Sequence, residues 1–422
     1  MKTLDQQSAG AELGTNPVLS PDAALSKERK LAIFGGEPLF KEPLHVGRPN
    51  VLQRELFLKR VEEILDRNWL TNNGPVVREF ERSIAEYLGV KHCIAVCNAT
   101  IGLELAIRAA GLKGEVIVPS YTFVATAHAL QWQEVTPVFA DIDPATHTLD
   151  PEAIERLITP RTTGIIATHL WGQACAVDPI AEIARKHGLQ LLFDAAHAFG
   201  CTYKGQRVGN FGRAEVFSFH ATKFLNSFEG GAITTNDDGL AERIRLMKNF
   251  GFKGFDNVVY IGTNGKMTEV CAAMGLHNLK RIDELIAINR RNYEAYREGL
   301  KNIPGLKLLP IGEREAANFQ YVVVEVDEKV LGVSRDQLVK VLHAENVLAR
   351  KYFWPGCHRM EPYRSYYPNA GLLLPCTNEV AARVIVLPTG ASLKEDNIYT
   401  ICELLRTAYD TSAEVRRASA VL

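Results

Sequence analysis

From residue 93 onward the chain alternates short, mainly apolar runs with segments of helical period, and this rhythm constrains its fold more than any other feature. The runs are Cys93–Val96, Val116–Val118, Pro137–Ala140, Gly164–Thr168, Gln190–Phe193, Ala214–Phe219 and Ala232–Thr235. Between most of them lie helical segments at Ile101–Ala110, Ala125–Gln131, Pro151–Leu157 and Pro179–Lys186. Strands apolar at every position, rather than at every second one, belong to a sheet covered on both faces. Strand–helix–strand order then predicts an α/β domain with a mainly parallel sheet. In such folds ligands bind at the carboxyl ends of the strands, so the loops that follow the strands are read together.

The flanking regions differ. Arg54 to Leu65 and Val76 to Tyr87 have helical spacing, separated by the turn cluster Leu70-Thr71-Asn72-Asn73-Gly74-Pro75. Helical pattern dominates from about residue 236 to Leu300. Beyond it, strands are expected at Gln320–Val326 and Val347–Phe353, and helices at Asp336–Ala344 and Asn397–Ala408, which suits a smaller α+β domain. The expected organisation is a flexible arm over 1–30, a large domain over 31–285 and a small domain over 286–422. A formal net charge of -1 points to neither a nucleic-acid nor a membrane partner. No apolar run reaches membrane-spanning length, and residues 1–30 lack a signal-peptide core. The eight cysteines are scattered, several within apolar runs, and Cys93 and Cys97 lack further ligands at zinc spacing. A cytoplasmic protein without a metal site is the expectation.

The loops after the strands hold the chemistry. Ser218-Phe219-His220-Ala221-Thr222-Lys223 ends one strand, and Glu229-Gly230-Gly231 leads into the next. A lysine between two core strands either snorkels to solvent or is a desolvated amine able to form a Schiff base. Asn98-Ala99-Thr100 opens a helix, where Asn98 or Thr100 would cap it and free N–H groups offer a phosphate seat. Tyr121 and Phe123 place aromatics after another strand, as core or as a cofactor platform. Asp194 ends the apolar run Leu191-Leu192-Phe193, where a carboxylate needs a polar or positive partner. A phosphate seat, an aromatic wall, a buried carboxylate and a buried lysine together are what pyridoxal 5'-phosphate (PLP) requires. The lysine holds the aldehyde as an imine, and the carboxylate keeps the pyridine nitrogen protonated.

Asp194-Ala195-Ala196-His197-Ala198-Phe199-Gly200, Phe217 to Lys223 and Glu229-Gly230-Gly231 together resemble the DegT/DnrJ/EryC1/StrS aminotransferases. The resemblance spans roughly residues 45 to 410. It implies the aspartate-aminotransferase-like fold (PLP fold type I) and action on nucleotide-linked keto sugars. By position it implies Lys223 as the Schiff-base lysine, Asp194 as the pyridinium partner and His197 near the ring hydroxyl. Ser218 and Asn98-Ala99-Thr100 match the phosphate contacts, with Ala99 where Gly is frequent. Phe123 matches the stacking ring, with Tyr121 as the alternative. Gly262-Thr263-Asn264-Gly265-Lys266-Met267 resembles the loop that crosses the dimer interface, which implies a homodimer with shared sites and Asn264 at the neighbouring subunit's cofactor phosphate. Arg350, in Arg350-Lys351-Tyr352-Phe353, matches a segment that approaches the site, as a carboxylate or phosphate contact.

Lysine at 223, where some members carry histidine and dehydrate or deoxygenate the sugar, implies transamination with L-glutamate as donor. Trp69 to Pro75, Asp194 to Gly200 and His220 to Lys223 resemble the branch that aminates C4 of dTDP-4-keto-6-deoxyglucose, giving dTDP-4-amino-4,6-dideoxyglucose. The competing readings are a member making a 3-amino sugar or an aminocyclitol, and a catalytically silent PLP-binding accessory protein. A nicotinamide dehydrogenase would need a glycine-rich turn, which Cys97-Asn98-Ala99-Thr100-Ile101-Gly102 does not supply.

Overall fold

The computed structural model describes residues 30–312 and 315–419. Nearly all of the 1–30 arm expected from the sequence lies outside the described residues.

Seven strands form the central sheet: β1 (His92–Val96), β2 (Glu115–Pro119), β3 (Thr136–Ala140), β4 (Thr162–Thr168), β5 (Gln190–Asp194), β6 (Ala214–Ser218) and β7 (Gly231–Thr235). Their spatial order is β1-β7-β6-β5-β4-β2-β3. All neighbours run parallel except β7, which is antiparallel to both β1 and β6. The reversal places the start of β7 beside the ends of its neighbours, with Gly231 paired to Val96 and to Ser218.

The mainly apolar strands follow from burial on both faces. Along β6, Val216 packs with Ile94, Val118, Ile166 and Leu192 on one side of the sheet, whereas Phe217 packs with Phe80, Phe199 and Phe219 on the other. The helix Ala99–Ala110 lies on the first of these faces. It starts two residues earlier than its apolar spacing predicts because Asn98 caps it, Oδ1 accepting from the Ile101 N–H at 2.9 Å.

The C-terminal part carries an antiparallel sheet of β8 (Leu306–Leu308), β9 (Val322–Val326) and β10 (Val384–Leu387). The helices Arg335–Ala344 and Glu395–Asp410 pack on it around a separate core. Leu31, Leu39, Phe40 and Leu44 belong to that C-terminal core, and Leu44–His45 pairs with Val347–Leu348. The Glu345 carboxylate fixes this segment by accepting from the N–H groups of Ala32 and Leu39, both at 2.7 Å. One helix, Ile282–Leu300, joins the two cores: Ile282 and Leu285 pack under the central sheet, Tyr296 and Leu300 in the C-terminal core.

The strand expected over Val347–Phe353 is shorter than its apolar pattern suggests. Val347–Leu348 is strand, Arg350 makes an isolated bridge to Val386, and the chain then turns, with the Trp354 N–H donating to the Lys351 carbonyl. Residue 321, just before β9, and residues 323 and 325 share one face of an extended segment. Tyr321 and Val323, with Phe353 of the same C-terminal part, pack against Tyr121 and Trp171 from the loops of the large sheet, so this face is the docking surface between the two parts.

Candidate active site

The carboxyl edge of the central sheet brings together the loops singled out in the sequence. Across the sheet this edge presents, in order, the turn after β1, the start of β7, the end of β6, Asp194 on β5, Thr168 on β4 and the Ser120–Phe123 loop after β2.

At one end, Ala99 and Thr100 are the first residues of a helix, so their N–H groups have no acceptor within it. Gly231 lies directly beneath this turn. A Cβ there would stand 2.8 Å from the Ala99 nitrogen, 2.8 Å from the Phe217 carbonyl oxygen and 2.9 Å from the Asn98 carbonyl carbon. Only glycine admits so close an approach between strand and helix N-terminus, and it leaves a concave cradle of N–H groups. Ser218, half-buried on the neighbouring strand end, points its Oγ toward the His220 N–H at 3.4 Å. Gly231→Ala, which pushes backbone against backbone, is expected to lower stability by about 1–3 kcal/mol and to weaken PLP retention. Thermal melts and cofactor titration of the purified variant measure both.

Two strands along, Asp194 is buried. Thr126 Oγ1–H donates to its Oδ2 at 2.7 Å, and the Ala196 N–H donates to Oδ1 at 3.0 Å. Burial raises its pKa above the ordinary carboxylate value, opposed by these two donors and by the charge of Lys223. Such a carboxylate is completed by a cation.

Lys223 follows β6 in a tight turn closed by its own N–H on the His220 carbonyl at 2.8 Å. The side chain is half-buried, and its Nζ donates to the Tyr321 hydroxyl at 3.3 Å. Desolvation lowers the pKa of the amine from its ordinary 10.5 to about 8, against the opposing influence of Asp194 and Tyr352. A substantial neutral fraction near pH 8 is what a nucleophilic amine requires.

His197 is buried beneath Tyr321, with ring centroids 4.5 Å apart, and burial together with the Lys223 charge keeps the imidazole well below its ordinary range. Its Nδ1 is buried without a hydrogen-bond partner. A neutral imidazole with an orphaned ring nitrogen is matched by a ligand hydroxyl at this place.

The two aromatics after β2 separate. Tyr121 is fully buried, its hydroxyl donating to the Tyr352 carbonyl at 2.6 Å, and it forms part of the wall with Trp171 and Phe353. Phe123 is 57% exposed, 6.5 Å from Phe353 across the crevice mouth. Of the two, Phe123 has the free ring face. Arg350 is exposed beside it, its guanidinium 5.1 Å from the Tyr352 ring.

Asn264 is not drawn into this crevice. Its loop lies against the Cys97 turn of its own chain, where the Gly265 carbonyl accepts from the Cys97 N–H at 2.8 Å, and the exposed Asn264 makes no hydrogen bond to Lys223, Asp194, His197 or Ser218.

Sequence reading missed Tyr321 and Thr126. Thr126 lies within a helix, one turn beyond the flagged loop, and a capping-style search for hydroxyls facing strand-end carboxylates would have found it. Tyr321 lies 98 residues from Lys223 and carries no local signal. Among the described residues no group of His, Cys, Asp and Glu is arranged to hold a metal ion, and no helix is long and apolar enough to cross a membrane.

The orphaned Nδ1 of His197, the N–H cradle over Gly231, the buried Asp194 and the depressed Lys223 amine all fit PLP. Asn98, Ala99, Thr100 and Ser218 would hold its phosphate, Asp194 its ring nitrogen and Lys223 its aldehyde carbon. A mainly parallel sheet with that set along its carboxyl edge defines a PLP-dependent aminotransferase of fold type I. Comparison with known proteins agrees: the profile of the DegT/DnrJ/EryC1/StrS aminotransferase family matches residues 52–406, and the chain belongs to this family. It is 39% identical over 368 residues to the dTDP-4-amino-4,6-dideoxy-D-glucose transaminase of Shigella dysenteriae, covering 87% of this chain and 99% of that protein. To the GDP-perosamine synthase of Caulobacter vibrioides it is 38% identical, covering 80% of this chain and 91% of the relative. The crystal structure of DesI in the presence of its TDP-sugar product superposes with a TM-score of 0.89 at 50% identity, covering 92% of this chain and 99% of DesI.

Proposed function

We propose that this aminotransferase moves the amino group of L-glutamate to C4 of dTDP-4-keto-6-deoxyglucose, acting in the cytoplasm as a homodimer. The observation that carries the nucleotide-sugar part is the cavity of about 300 Å³ at the crevice mouth, lined by Phe123, Arg350, Lys351, Tyr352, Phe353 and Trp354 among others. Arg350 among aromatic rings, with Lys351 beside it held by Asp336 at 3.0 Å, suits a diphosphate attached to a base and a sugar. The relatives named for dTDP-4-amino-4,6-dideoxyglucose and for a TDP-sugar product support the thymidine nucleotide and carbon C4.

When bound, PLP supplies the electron sink that makes a Cα–H bond acidic. Lys223, once free of the cofactor, accepts and returns the proton as a base, the pKa of its amine lowered by desolvation to about 8. Asp194 holds a negative charge toward the ring-nitrogen end, and Thr126 and the Ala196 N–H keep that carboxylate in place. Phe123 covers the exposed face of the site. Ser218 and the Asn98–Thr100 turn anchor the opposite end and so fix which atom faces Lys223.

Incubating the enzyme with PLP, L-glutamate and dTDP-4-keto-6-deoxyglucose, then locating the new amine by NMR, tests the proposal. A C4 amine is expected. Amination at C3, or turnover only with a GDP-linked sugar, would reject the substrate assignment.

The shared site has its own test. Asn264 is exposed and lies outside its own crevice, as a residue donated to a partner must. Mixing Lys223→Ala with Asn264→Ala subunits is expected to restore part of the activity, because one site of each hybrid then has both residues. No recovery on mixing would place Asn264 outside the partner's site.

A further inference from the structure

We propose that Tyr321 is a positioning residue for Lys223: its hydroxyl is the resting point of the amine whenever the amine is off the cofactor. The proposal rests on the reading of Lys223 as the cofactor lysine. Lys223 comes from a turn at the edge of the central sheet, whereas Tyr321 immediately precedes β9 of the C-terminal sheet. The Nζ–hydroxyl contact at 3.3 Å is therefore a link between the two parts of the molecule, made at the reactive atom itself.

Tyr321 is held rigidly enough for this role. It is buried, packs its ring on His197 at 4.5 Å and meets Trp171 edge-on at 5.6 Å. Two strand positions further along the same face, Glu325 accepts from His147 Nε2–H at 3.0 Å, and His147 Nδ1 in turn accepts from the Trp171 indole N–H at 3.2 Å. Phe353 stacks on Trp171 with centroids 5.3 Å apart and closes the wall. The phenol is thus fixed by the same strand that is clamped through Glu325 and His147.

The groups facing the Lys223 amine are Asp194, His197, Tyr352 and Tyr321. Asp194 is occupied by Thr126 and Ala196, and burial raises the Tyr321 phenol above its ordinary value, so it stays neutral. A neutral hydroxyl accepts from the ammonium and donates to the free amine, so it can hold either protonation state in one place. That matches what a proton-moving lysine needs between its two positions.

The test is Tyr321→Phe in the full-length protein, which keeps the ring against His197 and removes only the hydroxyl. In cofactor-free enzyme, the pH dependence of Lys223 acylation by acetic anhydride, read by peptide mass spectrometry, gives the midpoint of the amine. The variant is expected to shift that midpoint down by about one pH unit, since the charge-assisted bond lost by the ammonium is stronger than the neutral one lost by the free amine. In the holoenzyme kcat is expected to fall by about tenfold with KM for the nucleotide sugar unchanged. An unmoved midpoint with unchanged kcat overturns the proposal, as does an upward shift. If Tyr321→Phe fails to fold, 3-fluorotyrosine installed at position 321 keeps shape and hydroxyl while weakening the acceptor. The midpoint should then move down by a smaller amount, and no movement overturns the proposal. The acylation needs no sugar, so its failure is separable from a failure of the C4 assignment.

Discussion

Lys223→Ala is expected to reduce turnover by about 10⁴-fold or more, the upper end of what a positioned acid–base group contributes. The loss should exceed that of any other single change here, because one amine both attaches the cofactor and moves the proton. Borohydride treatment of wild-type holoenzyme should add the cofactor's mass to the peptide containing residue 223, and the variant should show no adduct. Its near-visible absorbance should change with the loss of covalent attachment. The fold should survive, since Lys223 contributes one 3.3 Å hydrogen bond to Tyr321 and its turn is closed by backbone. Stability provides a check on the amine's environment. With a folded-state pKa near 8 against an ordinary 10.5, the unfolded chain binds more protons between those values. Wild-type stability therefore carries a penalty below pH 8 that disappears as pH rises toward 10.5. The alanine variant should gain on wild type in cofactor-free melts at pH 7, and the gain should vanish near pH 10.5. A variant that keeps turnover would end the assignment of Lys223.

How far the sequence exposes this site depends on whether the information is local. The strands are legible because a sheet buried on both faces leaves few polar positions: Val216 and Phe217 point to opposite cores and are equally apolar, and the buried Glu215 before them is paired with His169. Asp194 and Asn98 are legible because polar residues at the ends of such runs need partners. The direction of β7 is less so, since Ala232 to Thr235 reads the same in either orientation. The hint lay in the connection: residues 219–230 have no helical period, and a parallel crossover ordinarily needs a helix-length connection. What stays hidden is contact across the two parts. Tyr321 looks like one more residue of an apolar strand, and nothing near it signals an amine 98 positions earlier. Leu31 to Leu44 likewise gives no sign that it packs with a core built some 300 residues later, because an apolar patch does not name its partner. The separation of Phe123 from Tyr121 also required coordinates. Both follow the same strand, and only the acceptor at the Tyr352 carbonyl consumes the Tyr121 hydroxyl and fixes that ring in the wall.

Asp194→Asn should leave the fold intact and lower turnover by roughly 10³-fold. The amide can occupy the same pocket: its oxygen can still accept from the Ala196 N–H, and its NH₂ can donate to Thr126 Oγ1, which then accepts rather than donates. Removal of the buried charge also removes a desolvation cost, because burial already pushes this carboxyl's pKa upward. Cofactor-free melts should therefore show no loss of stability at neutral pH. What disappears is the negative charge facing the ring-nitrogen end. An ion pair at contact distance is worth up to about 4 kcal/mol at an effective dielectric near 20, and about 1.4 kcal/mol corresponds to tenfold in rate, so the loss is set at three powers of ten. The loss should fall on kcat, with KM for the nucleotide sugar nearly unchanged, because Arg350 and Phe123 at the crevice mouth are untouched. Lys223 provides an independent readout. Asp194 opposes the desolvation of the amine, so without the charge the Lys223 pKa should fall below about 8 in cofactor-free enzyme. A Lys223 midpoint that stays fixed while kcat falls would mean that Asp194 acts without reaching the amine. An unchanged kcat would remove Asp194 from the chemistry.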